Sequence, residues 1–168
     1  MNYQGEQFKR DPDDVAREFL KKEGFATDMQ RDGTTNVVIG SKNFTESFIL
    51  AHLFAIMIEN QTSLDVELKL GFGGTQILFE ALNNRDVQIY PEYTGTGFLT
   101  VLKPDEVTRQ QYMKDSDALY QYIKKEYQKR YNLVWLPPLG FNNTFALLMK
   151  ESEAEEMNVD EISDLSDK

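Results

Sequence analysis

Alternation constrains this chain most: three short strings with strand character are separated by two stretches at helical spacing, all joined by brief connections. Residues 36–40 (NVVIG), 64–70 (LDVELKL) and 86–90 (DVQIY) read as strands. After the first, Asn43 stands as an N-cap with Glu46 three residues later, a capping box. Phe48, Ile49, Leu50, Leu53, Phe54, Ile56, Met57 and Ile58 then make a strongly apolar helix of the kind that packs on a sheet. After the second strand, Ile77, Leu78, Ala81 and Leu82 mark another helix. This β-α-β-α-β order predicts an α/β domain with a mainly parallel sheet and right-handed crossovers.

The flanks are less regular. Asp11-Pro12 opens a helix with Val15, Ala16, Phe19 and Leu20 on its apolar face and Gly24 at its end. A polar linker over residues 26–35 follows. Beyond the third strand, a helix is expected between Gly95 and Leu102. A longer one starts at Pro104 and carries Tyr112, Leu119, Tyr122, Ile123 and Tyr127. Strands are expected over 132–136 and 144–149, and the acidic tail from Glu151 onward contains a short helix. The boundaries that follow are an N-terminal helix and linker (1–35), a first α/β lobe (36–142) and a hinge strand opening a further lobe (143–168).

Composition removes several function classes. A length of 168 residues suits one domain, or one domain and part of another, and 40% hydrophobic residues suffice for a core. A formal net charge of -10 argues against nucleic acid, whose phosphates need clustered Lys and Arg. With no cysteine there is no disulfide, thiolate metal site or cysteine nucleophile. There is neither a run of 18 or more apolar residues nor a secretory leader at the start, so on residues alone the chain stays where it is made. His52 is the single histidine, on an apolar helix, and reads as a packed or half-exposed helix residue rather than a base. No nucleophile elbow exists, and Glu46 is accounted for as a cap, so an enzyme is the poorer reading. No metal or cofactor is expected.

In parallel α/β sheets, ligands bind outside the carboxyl ends of the strands. Three unusual strings stand there: Ser41-Lys42-Asn43-Phe44-Thr45-Glu46, Gly71-Phe72-Gly73-Gly74-Thr75 and Tyr90-Pro91-Glu92-Tyr93-Thr94-Gly95-Thr96. They are expected to share one rim. The last is either a Pro/Gly turn with packed tyrosines or a pocket of aromatic faces and hydroxyls. Gly73-Gly74-Thr75 is either an anion cradle or a tight turn capped by Thr75. Lys42 is either a solvated lysine or the partner of a ligand carboxylate. Tyr90, Tyr93, Phe141 and Phe145 lie beside predicted strand ends, where aromatic faces attract quaternary ammonium groups.

Four motifs in order, Val38-Ile39-Gly40-Ser41-Lys42-Asn43-Phe44-Thr45-Glu46, Gly73-Gly74-Thr75, the 90–96 string and Leu139-Gly140-Phe141-Asn142-Asn143-Thr144-Phe145-Ala146-Leu147, resemble the substrate-binding proteins of osmoprotectant ABC importers. These bind glycine betaine, choline, carnitine and related compounds. The resemblance runs from about Asn36 to the end of the chain. It implies a type II periplasmic-binding-protein-like lobe whose second lobe is largely missing, and hence weak or undetectable affinity for the chain alone. It implies Tyr93 as a cage aromatic facing the ammonium group, Thr96 and Lys42 at the ligand's polar end, Gly74 and Thr75 nearby, and Phe141 or Phe145 as a further cage aromatic. It implies a permease subunit or fused permease domain as partner, the segment 11–24 resembling the linker of such fusions, and an extracytoplasmic location. A homodimer formed through uncovered lobe surface is a further expectation. The alternatives are a sensory or interaction domain that reuses the lobe and, third, an enzyme on a small amine.

Overall fold

The computed structural model describes residues 10–27, 36–141, 143 and 148–167. In chain order the elements are α1 (Pro12–Lys22), β1 (Asn36–Gly40), α2 (Thr45–Gln61), β2 (Asp65–Lys69), α3 (Thr75–Asn83), the one-turn α4 (Thr94–Thr96) running into a π-helical stretch (Gly97–Leu102), α5 (Glu106–Tyr112), α6 (Ser116–Tyr131), α7 (Glu151–Met157) and a 3-10 turn (Ile162–Asp167). Two compact units result, Met1–Trp135 and Leu136–Lys168.

The expected parallel sheet is present but small. β1 and β2 pair in parallel with Ile39 opposite Leu68, and the crossover between them is α2. The third string contributes a single parallel bridge, Ile39 to Ile89, rather than a full strand. Gln88 explains the shortening. Its side-chain Oε1 accepts the Val38 amide hydrogen at 2.8 Å, a position that a backbone carbonyl would fill in a continuous ladder. The Gly40 amide still donates to the Ile89 carbonyl at 2.9 Å, so β1 is held on both sides where it ends. A side chain at Gly40 would place its Cβ 2.6 Å from the Leu78 side chain, so the β1 end and α3 approach closely only because this residue is glycine.

The apolar character of α2 follows from its position. One side covers the sheet, where Ala51 and Ala55 pack with Ile39, Val37, Val66 and Leu68. The other side receives α1, whose Ala16 and Leu20 pack against Ile56, Leu53 and Met57. A helix covered on two sides has little polar face left to show. At its start the capping box is not formed. The N-cap position falls on Phe44, which makes no side-chain cap bond, and the helix begins at Thr45. By contrast α1 has its cap as expected, the Asp11 carboxylate accepting from the Asp13 amide. Thr75, expected as the cap of α3, is instead its first residue; the N-cap is Gly74 and makes no side-chain cap bond.

A second core forms where α3, the π-helical stretch and α6 meet: Phe79, Phe98, Leu102, Leu119, Ile123 and Tyr127 are buried together. The long helix expected from Pro104 is two helices, each restarted by an aspartate cap, Asp105 and Asp115. Residues 132–136 keep the alternation of a strand, Leu133 and Trp135 packing on this core while Val134 is 66% and Leu136 68% exposed. They pair with no strand among the described residues, so the element is an extended segment, because alternation needs a partner to become a sheet. The strand expected over 144–149 falls mainly outside the described residues; Leu148 and Met149 have no regular structure. No helix among the described residues is long and apolar enough to cross a membrane.

Candidate functional site

The carboxyl end of β1 is the point where the strings converge. Ser41 is fully buried and ties the first to the second: its amide donates to the Lys69 carbonyl at 3.1 Å, its carbonyl accepts from Phe72 at 3.0 Å, and its hydroxyl accepts from Gly71 at 2.9 Å. The Lys42 amide then donates to the Ser47 hydroxyl at 2.9 Å, which turns the chain into α2.

Hydrogen bonds from Lys42 and Tyr93 tie the first string to the third. The Lys42 ammonium donates to Glu92 Oε1 at 2.5 Å, with side chains only 7% and 5% exposed. The Tyr93 hydroxyl donates to the Glu46 carboxylate. Glu46 is therefore not spent on a cap; it is a rim residue that reaches the aromatic. Removing one member of a buried ion pair strands the other, at a cost of about 3–5 kcal/mol.

Tyr93 is fixed from several directions. Its amide donates to Glu92 Oε1 at 2.7 Å, so one oxygen holds both the Lys42 ammonium and the Tyr93 backbone. Its ring stacks on Phe44, centroids 6.2 Å apart at 21°, and the Lys42 ammonium stands 5.3 Å from the ring centroid, within cation–π range. Glu92 Oε2 is buried and accepts no hydrogen bond among the described residues, although Tyr90 is near enough to sense the carboxylate. Burial first, and Glu92 second, raise the Tyr90 phenol well above the ordinary tyrosine range. Tyr127 is raised in the same way, by burial and then by Glu92. Both phenols stay protonated at neutral pH, and the Tyr127 hydroxyl serves as a donor.

Thr96 closes α4 and is half-buried. Beneath it the Gly97 amide donates to the Tyr93 carbonyl at 2.9 Å, and the Tyr127 hydroxyl donates to the Gly97 carbonyl at 3.0 Å. The turn that carries Tyr93 and Thr96 thus rests on the aromatic core of α6. Of the residues singled out from sequence, Lys42 and Tyr93 come together in the first unit, and Thr96 follows Tyr93 at the end of the α4 turn. Gly74 and Thr75 open α3 in that unit, joined to the others through Ser41 and the 71–72 turn. Phe141 belongs to the second unit and is 52% exposed; Phe145 lies outside the described residues. Glu92 was the residue whose part the sequence concealed. It sits inside the 90–96 string, yet nothing local indicates a partner fifty residues away.

Comparison with known proteins agrees with this architecture. The family model for the substrate binding domain of the ABC-type glycine betaine transport system matches residues 35–168. The chain is 32% identical over 133 residues to the ergothioneine transport permease/ergothioneine binding protein of Helicobacter pylori, covering 77% of this chain and 22% of that protein. It is 34% identical over 128 residues to a glycine-betaine-binding protein of Pseudomonas aeruginosa, covering 76% and 38%. It is 30% identical over 128 residues to the carnitine transport binding protein of Listeria monocytogenes, covering 76% and 40%. The chain therefore spans less than half the length of these curated relatives. Among solved structures, apo YehZ from Escherichia coli superimposes with a TM-score of 0.59 at 27% identity, over 80% of this chain and 46% of that one. A glycine betaine/carnitine/choline ABC transporter structure shares the fold, with a TM-score of 0.57. The described α/β unit has the type II periplasmic-binding-protein fold. This chain belongs to the family of substrate binding domains of ABC-type glycine betaine transport systems.

Proposed function

We propose that this chain is the solute-binding module of an ABC importer for quaternary-ammonium osmoprotectants such as glycine betaine, choline or carnitine. The observation that carries the reading is the fixation of Tyr93 at the end of β1, by Glu92, Glu46 and Phe44 beside Lys42. An aromatic held this firmly offers a ring face to a cation with little ordering cost on binding. Family membership and the relatives' names support the same reading. In this proposal the ligand docks on Tyr93 and Thr96 with Lys42, Gly74 and Thr75 around it. The partner is a permease, separate or fused, and the module works outside the cytoplasm, tethered through that permease or a membrane anchor. A homodimer through uncovered lobe surface belongs to the same proposal. The module binds and releases its ligand without chemical change.

Titration of the chain with glycine betaine, choline and carnitine, followed by NMR, tests this. The expected result is fast-exchange shifts at Tyr93 and Thr96 with a Kd of about 1 mM or weaker, about -4 kcal/mol of binding free energy. Absence of shifts with all three compounds overturns the proposal.

A further inference from the structure

The outer face of α2 is a seat for a helix. Leu53, Ile56 and Met57 stand there at i, i+3 and i+4, and Ala16 and Leu20 of α1 pack on them. A polar edge fixes the register: His52 Nδ1 lies 3.2 Å from Asp13 Oδ1, and Arg17 binds the other Asp13 oxygen at 2.6 Å. The seat therefore reads three features of an incoming helix, a carboxylate, a small residue three positions later and a leucine four beyond that.

α1 is separable from the domain it covers. The family model begins at residue 35, after α1 and its connection. The Asp11 carboxylate caps the helix at its start. At its end Gly24 takes a φ of 83°, and the Phe25 amide returns to the Leu20 carbonyl at 2.8 Å, so α1 closes both its ends without the sheet. Arg17 binds the Thr27 carbonyl at 2.8 Å, which keeps residue 27 with the helix. The eight residues between Thr27 and Asn36 span at most roughly 26–29 Å. That is ample where packed helices sit ~8–10 Å apart.

We infer that the outer face of α2 is a docking site for α1 of a second copy of this chain as well as for its own. The interface is the same in either arrangement. Only the effective concentration imposed by the connection separates them, about 1 mM for a short one. Exchange gives a two-fold dimer that covers no surface beyond what the single chain already covers. Ile56 lies ten residues along α2 from Glu46, roughly 15 Å, so the exchange leaves the rim open and is independent of the ligand-binding reading.

A complementary pair of full-length variants tests this. Leu20→Lys disables α1 and leaves the seat; Leu53→Lys disables the seat and leaves α1. Ala16→Glu and Met57→Lys are made beside them in case either fails to fold. Each variant alone is expected to be a monomer by light scattering. The mixture is expected to form a heterodimer, and the His52 ring signals of the Leu20→Lys chain are expected to return to their parent positions. The parent chain is expected to dimerise near 1 mM and to dissociate on dilution to about 10 μM. A mixture that stays monomeric overturns the inference. A mixed dimer with unmoved His52 signals places association on another surface and overturns it too.

Discussion

His52 on α2 holds Asp13 on α1, Nδ1 to Oδ1 at 3.2 Å, across the seam where the first helix joins the rest of its unit. Arg17 binds the other oxygen of the same carboxylate at 2.6 Å and donates to the Thr27 carbonyl at 2.8 Å. Glu59 also bears on Arg17 from α2.

That seam is expected to respond to acid. Partial burial by itself raises the Asp13 carboxyl, but Arg17 and then His52 outweigh it and hold it below its ordinary value. A depressed carboxyl contributes stability that is fully present above the unfolded pKa, near ~4, and lost as pH falls through the lower folded value. Because the side chain is about one-third exposed, the contribution is discounted to well under ~1 kcal/mol. Protection factors of the α1 amides, corrected for the intrinsic pH dependence of exchange, are expected to fall below about pH 4, and Asp13→Asn is expected to flatten that profile. An unchanged profile in the variant would show that another group controls the seam.

Leu20 is the buried anchor of α1 in its small cluster with Ala16 and Ile56. Leu20→Ala removes packing worth about 2–5 kcal/mol, and the loss falls on the docking of α1 before the sheet. Limited proteolysis read by mass spectrometry is expected to cut the variant first within residues 10–27. First cuts in α3 or α6 would contradict this order.

Gly97 has no room for a side chain. A Cβ there would lie 2.7 Å from Trp135 Cζ2 and 3.0 Å from the Tyr127 hydroxyl. Alanine recovers up to ~1 kcal/mol of helix propensity, but overpacking costs about 1–3 kcal/mol. Gly97→Ala is therefore expected to lower Tm by roughly 2–8 °C in calorimetry. A Tm equal to or above that of the parent chain would mean the aromatic pair yields freely.

Tyr93 has two separable parts. Tyr93→Ala removes the ring and is expected to weaken choline by about 0.5–2 kcal/mol, roughly two- to thirtyfold. Tyr93→Phe keeps the ring and loses the hydroxyl with its bond to Glu46, so its affinity is expected to stay within about threefold of the parent. Equal losses in the two variants would locate the effect in the Glu46 contact instead of the ring.

The parts legible in the sequence were those written locally. The strand string 36–40, the apolar run of α2 and the Asp11-Pro12 start of α1 each carry their own local signal, and each appears where expected. What stayed hidden depended on distant partners. Residues 132–136 have strand alternation but find no strand beside them among the described residues, and Gln88 substitutes a side chain for part of the third strand. Glu46 fits a capping pattern, yet the Tyr93 hydroxyl takes its carboxylate. Lys42 looks like a free cation until the fold delivers Glu92. Pairings across fifty residues are set by topology and leave no trace in spacing.

Trp135 is the single tryptophan of the chain, and its indole rests against Gly97 and edge-on to Tyr127, 5.3 Å between centroids. Gly97 follows directly on the Thr94–Thr96 turn, and its amide binds the Tyr93 carbonyl. The molecule thus carries its own optical reporter under the turn that bears Tyr93: any rearrangement of that turn changes the surroundings of one indole, whose emission can be followed without a label.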